Sequence, residues 1–433
     1  MVEQIPKKAK SKTPENKEKQ GVELGVYEET EKLNLVMMWG LPGAETILGQ
    51  MLPKDASLFE ESFDVIKARE ELKNAMDLLE KNGVEIFKVK DRWAEMIESK
   101  GIKSEMSMDD LKQRVREKGE YFYNKYRGDR ENENGGEDSA DLDVLDLLDG
   151  VLDEDVRRYG ENAAVIINQR LSLSGFRDEK LDESLPLSNI FYARDQSNLL
   201  GKTLVWSSMR HEIRKPEVEI YKEVVRHSGI LEGYGINEVE VQNDGDKGFF
   251  EGGDGIPNNG IVYIGIGGRT DLEGVKQIAE PILREGLRLV VERDRKRSNL
   301  GENEMDAMHL DTYWMPLGIN EIVMCEEEVD RRRSYEFLLD EKNQLTLQYL
   351  GDFRDHLAER KITEVPLTKE EQLRYAPNFL NLGNGKVILS LAKGNELTSK
   401  LEGKGMIVLN ADLQEVTKGH GGLHCATAAL SRG

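Results

Sequence analysis

The sequence contains few cysteines and no long apolar run. Only two of its 433 residues are cysteine, Cys325 and Cys425, too few to form the framework of a disulfide-stapled domain. It has no stretch of 18 or more apolar residues, so it predicts no membrane-spanning helix. The basic N-terminal residues are not followed by an apolar stretch and a small-residue cleavage site. We therefore expect a soluble, cytoplasmic protein.

Positive charge is also scarce. The chain has 60 Lys and Arg but 82 Asp and Glu, a formal net charge of −22. Because such a chain repels phosphate backbones and anionic lipids, we expect neither nucleic acid nor a membrane as a partner. Residues 131–155 hold 11 acidic residues and no basic one. Leucines at helical spacing from Leu142 to Leu152 predict an amphipathic helix that begins at Ser139 as its N-cap. The acidic face of this helix is either a solvated surface or a docking site for a basic partner.

Composition divides the chain into three regions. Residues 1–30 are rich in lysine and hold almost nothing apolar, which predicts a flexible basic arm. Residues 31–433 show apolar strands alternating with single amphipathic helices, which predicts an α/β domain. Strand patterns vanish over residues 92–160 and helical patterns replace them, so we expect a helical insertion within that domain.

Several common catalytic and phosphate-binding motifs are absent. GIGGRT lacks the Lys-Ser/Thr of a P-loop, and neither it nor GKGMIV has the spacing of a dinucleotide fingerprint. No GxSxG string marks a serine nucleophile. We therefore expect no nucleotide cofactor, and the chemistry has to come from polar side chains beside the apolar strands.

The C-terminal string GHGGLHCATAALSRG holds the main nucleophile candidate. Cys425 follows a glycine-rich turn and precedes an alanine-rich segment. A helical turn there would place free N–H groups near the sulfur and lower the thiol pKa, as a nucleophile requires. The adjacent His424 favours function too. The alternative is an inert buried thiol, which describes Cys325 in the apolar string NEIVMC.

A histidine and several carboxylates occupy loop-like positions. In AMHLDTYW, a strand would point His309 and Asp311 to the same face, as suits an acid–base group beside an anchor for a cation. Glu251 begins the tight turn EGGD, and Asp195 follows Arg194 in FYARDQSN. The ordinary alternatives are a satisfied core histidine, turn chemistry and an intrachain ion pair.

A zinc site is a competing hypothesis for the same region. Its ligands would be His309, His420, His424 and Cys425. The four-residue spacing of the last two histidines would bring them together on a helix, but two glycines between them disfavour a helix. We therefore expect no metal.

The strings YARD, EGGD, GRTDLEGV, MHLDT and GHGGLHC, taken together and in this order, resemble the arginine deiminase family of guanidine-modifying enzymes. The resemblance runs from about Asn34 to the C-terminus. It implies the pentein fold, a five-bladed pseudo-symmetric α/β propeller of ββαβ modules that carries the helical insertion. It also implies a catalytic domain that hydrolyses L-arginine to L-citrulline and ammonia without a cofactor. Family members commonly form dimers or tetramers, which leaves a homo-oligomer open.

The resemblance assigns a catalytic role to each of these residues. Cys425 would attack the guanidinium carbon, while Asp195 and Asp311 would hold the guanidinium through charge-assisted hydrogen bonds. His309, kept basic by Glu251, would protonate the departing ammonia. It would then activate the water that hydrolyses the S-alkylthiouronium intermediate.

The resemblance also implies a set of substrate-binding residues. Arg214 and Arg269 align with arginines that hold the substrate's α-carboxylate or shape that end of the pocket, although a surface ion pair would explain either one. Tyr192 replaces the usual Phe and adds a hydroxyl near the guanidinium. His420 replaces an arginine that contacts the carboxylate, and a shorter, often neutral imidazole cannot form the same bidentate contact. His424 completes the set.

Other functions stay open because of His420. The same site could act on a related guanidino compound, transfer the amidino group to an amine, or continue to ornithine as a dihydrolase. A non-catalytic protein that recruits partners through its acidic insert is the alternative from another class. The retention of every candidate catalytic residue disfavours it.

Overall fold

A computed structural model of the chain describes residues 23–104, 107–133, 143–170, 185–295 and 307–433. The strands in these ranges are β1 (Leu33–Met38), β2 (Glu85–Lys88), β3 (Ser197–Leu200), β4 (Thr203–Trp206), β5 (Asn237–Glu240), β6 (Gly255–Asn258), β7 (Ile261–Ile266), β8 (Arg288–Asp294), β9 (Trp314–Gly318), β10 (Glu321–Cys325), β11 (Arg332–Leu339), β12 (Leu345–Asp352), β13 (Thr363–Leu367), β14 (Leu380–Gly383), β15 (Lys386–Leu389), β16 (Ile407–Asn410) and β17 (Ala428–Arg432). The α-helices are α1 (Ala44–Gly49), α2 (Lys54–Ser57), α3 (Val65–Lys81), α4 (Val89–Lys100), α5 (Met108–Glu133), α6 (Asp143–Tyr159), α7 (Ala163–Arg170), α8 (Ala193–Gln196), α9 (Lys215–Ser228), α10 (Leu272–Arg284), α11 (Glu326–Asp330), α12 (Phe353–Glu359), α13 (Lys369–Leu373), α14 (Glu396–Gly403) and α15 (Gln414–Thr417).

One arrangement recurs in all the sheets of the described residues. Two strands pair antiparallel, the chain passes through a helical crossover, and a third strand pairs in parallel with the second, as in β3, β4, α9 and β5. The strands β6–β7–β8, β9–β10–β13, β14–β15–β16 and β17–β1–β2 repeat this pairing. The predicted α/β class is therefore confirmed. Closure of the repeats into a five-bladed propeller stays a prediction.

The residues before β1 correct the boundary of the predicted arm. Leu24 and Val26 are buried, and Glu29 is fully buried beside the arginine that ends β17. Apolar burial and an ion pair thus fix residues 23–30 to the protein, although we had assigned them to a flexible arm. Residues 1–22 lie outside the described residues.

Helices occupy the region where we predicted a helical insertion. α4 to α7 follow one another over residues 89–170, and this run begins before residue 92 and continues beyond residue 160. The predicted cap Ser139 lies outside the described residues, while Leu148 and Leu152 of α6 are buried as the leucine spacing predicted. The division into domains stays a prediction. Within the described ranges, the helices lack the combination of length and apolar character that is needed to cross a bilayer.

Candidate active site

The candidate residues lie in short segments that immediately precede the first strand of each repeat. Asp195 ends one such segment before β3, Glu251 precedes β6, and Cys425 precedes β17. His309 and Asp311 lie just before β9. The backbone of His309 is extended, and Asp311 lies in the 3-10 turn that follows it. The strand that we predicted for these two residues is therefore wrong, because β9 begins only at Trp314. The same edge of every repeat thus contributes to one buried cluster.

A glycine allows two of these segments to approach each other. A Cβ atom on Gly253 would lie 2.7 Å from Nδ1 of His309. Any larger residue would therefore displace the imidazole. This contact explains the second glycine of the turn EGGD.

His309 is a buried imidazole between two carboxylates. Its Nε2 lies 3.0 Å from Oε2 of Glu251, and its Nδ1 lies 3.5 Å from Oδ1 of Asp195. Burial alone would lower the pKa of His309, but the charge of Asp195 and the hydrogen bond to Glu251 raise it to about 9. At neutral pH the side chain is therefore an imidazolium that can donate a proton.

Glu251 is held in place by main-chain and cationic groups. Its Oε1 accepts the Arg210 N–H at 3.0 Å, and Arg269 Nη1 lies 3.7 Å from Oε2. Burial opposes its negative charge, but Arg269 and the hydrogen bond to His309 hold the pKa of Glu251 well below its usual range. Glu251 is therefore a fixed negative charge beside His309, as its predicted role requires.

Cys425 is buried in a turn that Asn378 holds together. The Asn378 side-chain amide donates to Sγ at 3.1 Å, and its oxygen accepts the main-chain N–H of Cys425 at 3.1 Å. Oδ2 of Asp311 lies 3.5 Å from the same sulfur. Burial, followed by the charges of Asp311 and Asp195, raises the pKa of the Cys425 thiol well above its usual range.

This environment overturns our expectation of a thiol activated by a helix. β17 follows Cys425, where the sequence had suggested a helical turn. Burial and the nearby carboxylates therefore outweigh the hydrogen bonds from Asn378 and the Gly422 main chain, which lower the thiol pKa, and the resting sulfur is a thiol.

The two aspartates each keep one buried oxygen without a hydrogen-bond partner. Oδ2 of Asp195 accepts Arg214 Nη1 at 2.7 Å, and Oδ2 of Asp311 lies 2.7 Å from Nδ1 of His424. Oδ1 of both aspartates is buried without a partner among the described residues, as is His309 Nδ1. Leaving the two aspartate oxygens unpaired costs free energy, so they are set up to receive a donor-rich cation.

Arg214 and His424 lie behind the aspartates. Arg214 donates to Asp195, to Glu217 at 3.0 Å and to the Asn189 carbonyl at 3.3 Å. Because the Arg214 guanidinium already binds these three groups, its place favours shaping of the pocket over binding of a substrate carboxylate. His424 is fully buried, so its place favours support of Asp311 over substrate contact.

Glu29 anchors His424 from the other side. Its Oε1 lies 3.5 Å from Nε2 of His424 and pairs with Arg432. Burial opposes the charge of Glu29, but Arg432 and His424 hold its pKa well below its usual range. The segment before β1 thus supports the cluster through His424 and Asp311.

Replacing Glu29 with glutamine tests this support. Since Glu29→Gln leaves the Arg432 guanidinium buried without its counter-charge, we expect the free energy of unfolding to fall by about 3–5 kcal/mol in urea titrations. Glu23→Gln is the matched control in the same segment, because Glu23 pairs with Lys202 at the surface, where an ion pair contributes about 0–1 kcal/mol. Equal destabilisation by the two substitutions would contradict the role of Glu29.

The remaining predicted substrate-binding residues lie around the Cys425 loop. The Tyr192 hydroxyl donates to the Val416 carbonyl at 2.6 Å, so it braces the main chain before that loop. Nδ1 of His420 lies 2.9 Å from the Tyr375 hydroxyl. Burial, followed by the positive charge of Arg269, lowers the pKa of His420 to about 4, so it is neutral at pH 7.

The four candidate zinc ligands are not brought together. His420 contacts Tyr375, whereas His424 contacts Asp311. Among the residues that the structure describes, Asp195, Glu251 and His309 are the group whose donor atoms converge closely enough for a metal ion. A protonated His309 already balances these two carboxylates.

Sequence reasoning missed Asn378, Glu29 and Glu217. Asn378 precedes β14, so the fifth repeat also contributes to the cluster from the segment before its first strand. The recurrence of that position in every repeat was the signal that could have found it. Glu29 and Glu217 carry no comparable signal, because their partners are visible only in the folded chain.

Comparison with known proteins identifies relatives of this chain at low sequence identity. A family model described as arginine deiminase matches residues 55–432. An arginine deiminase from Streptococcus pyogenes is 24% identical over 262 residues, which cover 57% of this chain and 61% of that protein. The Bacillus subtilis protein YkgA is 26% identical over 243 residues, which cover 56% of this chain and 70% of that protein. The match thus spans about three fifths of the length of the streptococcal enzyme.

A solved structure shares the fold at low identity. The DDAH from Pseudomonas aeruginosa, crystallised in complex with citrulline, superposes with a TM-score of 0.52 at 16% identity, covering 92% of this chain and 99% of that chain. At this identity the likeness concerns the fold alone.

Proposed function

Since the chain belongs to the arginine deiminase family, we propose that it hydrolyses the guanidinium group of L-arginine to L-citrulline and ammonia. One observation carries the proposal. Two buried aspartates of the cluster, Asp195 and Asp311, each keep one oxygen without a hydrogen-bond partner among the described residues, and the Cys425 thiol lies 3.5 Å from Asp311. A planar guanidinium has the N–H donors and the positive charge that this pair lacks.

Substrate binding would orient the reacting carbon. Oδ1 of Asp195 and Oδ1 of Asp311 accept N–H groups of the guanidinium, while Arg214 and His424 keep the other oxygens occupied. The substrate's charge then offsets the carboxylates that raise the thiol pKa. The bound substrate thus cancels the repulsion between these carboxylates and a thiolate. Its binding lowers the pKa of the Cys425 thiol and favours ionisation.

Carbon–sulfur bond formation begins the reaction. Once the thiol proton has passed to water, the Cys425 thiolate attacks the guanidinium carbon and gives a tetrahedral adduct. His309, protonated at neutral pH, donates a proton to the departing nitrogen, so ammonia leaves and an S-alkylthiouronium remains.

Hydrolysis of this intermediate restores the enzyme. Neutral His309 takes a proton from water, and the resulting hydroxide attacks the same carbon. Collapse of the second adduct breaks the carbon–sulfur bond and passes its O–H proton to the sulfur, which releases citrulline and regenerates the Cys425 thiol beside the His309 imidazolium. Glu251, at 3.0 Å, keeps His309 oriented through both steps.

Citrulline and ammonia assays with purified protein and arginine test the proposal. Stoichiometric formation of both products is the expected result. Failure of the wild-type protein to form either product would overturn it.

The surroundings of His420 favour a second candidate, action on a related guanidino compound. His420 is neutral at pH 7 and bound to Tyr375, while Arg214 is committed to Asp195 and Glu217. These groups therefore offer the α-carboxylate of arginine little positive charge. A substrate panel with product identification separates arginine hydrolysis from amidino transfer and from conversion to ornithine.

The substitution His420→Arg tests which end of the substrate is recognised. A guanidinium at this position can form a charge-assisted hydrogen bond with a carboxylate, which is worth about 1.5–3 kcal/mol. We therefore expect kcat/KM for arginine, relative to agmatine, which lacks the carboxylate, to rise roughly tenfold or more. His227→Arg on the surface of α9 is the control. An unchanged ratio in His420→Arg would show that the carboxylate lies elsewhere.

A further inference from the structure

A second cavity of about 480 Å³ lies outside the cluster around Cys425. It is bounded by the start of α10 and by the strands β8, β11 and β12. The apolar and aromatic part of its wall consists of Phe249, Ile266, Leu272, Val291, Tyr335 and Leu347. The cavity can therefore take the apolar body of a small molecule.

Four cationic side chains line the same cavity: Arg269, which lies 3.7 Å from Glu251, and Arg210, Lys247 and Arg293. The guanidinium of Arg210 lies 4.5 Å from the centre of the Phe249 ring and donates to the Asp246 carbonyl at 3.2 Å. Lys247 and Arg293 form no ion pair within the part of the chain that the structure describes. Arg210, Lys247 and Arg293 therefore keep positive charges without an ion-pair partner among the described residues.

Most carboxylates of the lining already have partners. Asp271 caps α10 by accepting the Gly274 N–H at 2.8 Å, and Glu273 binds a lysine of its own helix at 2.6 Å. Asp294 lies 3.5 Å from Nε of Arg331. Asp246 remains, at an exposed position of the rim. Among the described lining residues, the three cations without an ion-pair partner thus face two carboxylates without one, Asp246 and Asp271.

A cross-strand pair adds a repulsion that an anion would relieve. Arg293 of β8 stands directly opposite Arg333 of β11 in the antiparallel register. Such partners project from the same face of the sheet, and like charges in this position destabilise it. Both arginines are exposed, and neither forms an ion pair with another described residue.

We propose that this cavity binds a small molecule with a phosphate group on an apolar or aromatic body. Arginine and lysine bind phosphate through charge-assisted hydrogen bonds, and Arg293 with Lys247 and Arg210 would supply them. Phe249 and Tyr335 would contact the apolar body.

The cavity is connected to the catalytic cluster through Glu251. Among its lining residues, Arg210 donates its N–H to Glu251 Oε1, and Thr270 Oγ1 accepts the Glu251 N–H at 3.0 Å. Glu251 in turn holds His309. A ligand that shifts these contacts changes the rate of guanidine hydrolysis, a consequence that rests on the proposed function.

Isothermal titration calorimetry of the full chain, in a phosphate-free buffer, tests the site with inorganic phosphate, phenyl phosphate and benzoate. We expect saturable binding of phenyl phosphate, tighter than that of phosphate or benzoate. Arg293→Gln and Lys247→Gln each remove one charge-assisted contact and weaken binding roughly tenfold or more. Arg284→Gln, at the other end of α10, leaves it unchanged.

Three results would overturn the proposal: no saturable binding of phenyl phosphate, equal affinity in Arg293→Gln and the wild type, or benzoate binding as tight as that of phenyl phosphate. Circular dichroism of each variant verifies that the fold is intact. The titrations need no turnover, so their failure is distinguishable from failure of the proposed function. A change in kcat/KM for arginine on saturation with phenyl phosphate would support the connection through Glu251.

Discussion

Cys425→Ala is expected to abolish citrulline formation, with kcat reduced by at least about 10⁴-fold, the scale seen when a nucleophile is removed from a hydrolase. The sulfur lies 3.5 Å from Asp311 and 3.1 Å from the Asn378 amide. Because the aspartates can hold a guanidinium but cannot form the carbon–sulfur bond, the variant should still bind substrate. Initial-rate assays of citrulline, together with calorimetric binding of arginine, measure both properties.

Cys325→Ala is the matched control for this experiment. Cys325 is the other cysteine of the chain and is buried in β10 among apolar side chains. Its loss removes a small buried side chain and leaves the cluster intact, so activity should persist. Mass spectrometry of wild-type protein quenched during turnover should locate a substrate adduct on the peptide containing Cys425. Full activity in Cys425→Ala would refute the covalent mechanism.

The candidate residues could be predicted from the sequence because each belongs to a short local string. Glu251 with its glycines, and His309 two residues before Asp311, carry their spacing in the letters themselves. The structure shows why these strings are local: each occupies the segment before the first strand of a repeat. The strands and helices were predictable for the same reason, since their hydrophobic periodicity is a local property.

Long-range pairing was out of reach of the sequence. Glu29 lies 403 positions from Arg432, its ion-pair partner, and Asn378 lies 47 positions from Cys425. The lysine-rich composition of the residues before Glu29 predicts a flexible arm, so no pattern in the sequence indicated that the Glu29 carboxylate is buried. A contact of this kind depends on the pairing of β1 with β17, and no local pattern in the sequence predicts that pairing.

The thiol shows how tertiary structure can reverse a local argument. Glycines and alanines around Cys425 suggested a helix terminus and a lowered pKa. The folded chain instead buries the sulfur and sets Asp311 and Asp195 nearby, and both effects raise the pKa. In the proposed reaction, a cationic substrate removes the repulsion by which these carboxylates keep the sulfur protonated.

His309→Asn is expected to lower kcat for citrulline formation by about 10²–10⁴-fold, the usual contribution of a positioned general acid and base. Asparagine keeps a polar side chain of similar reach but cannot carry the proton. His227→Asn on the exposed side of α9 controls for the loss of a histidine. If His309→Asn retained wild-type kcat, proton transfer would have to be assigned to another group.

Glu251→Gln separates a proton-transfer role of His309 from a structural one. The pKa of His309 is raised to about 9 by Asp195 and by Glu251, so kcat/KM in the wild type should fall as the pH rises through about 9 and the imidazolium is lost. Glutamine keeps a hydrogen-bond acceptor at 3.0 Å but removes the negative charge that favours the imidazolium. The alkaline limb of the pH profile should therefore move to lower pH in Glu251→Gln. A variant that lost activity equally at every pH, with no movement of this limb, would show that Glu251 acts on the fold and not on the proton of His309.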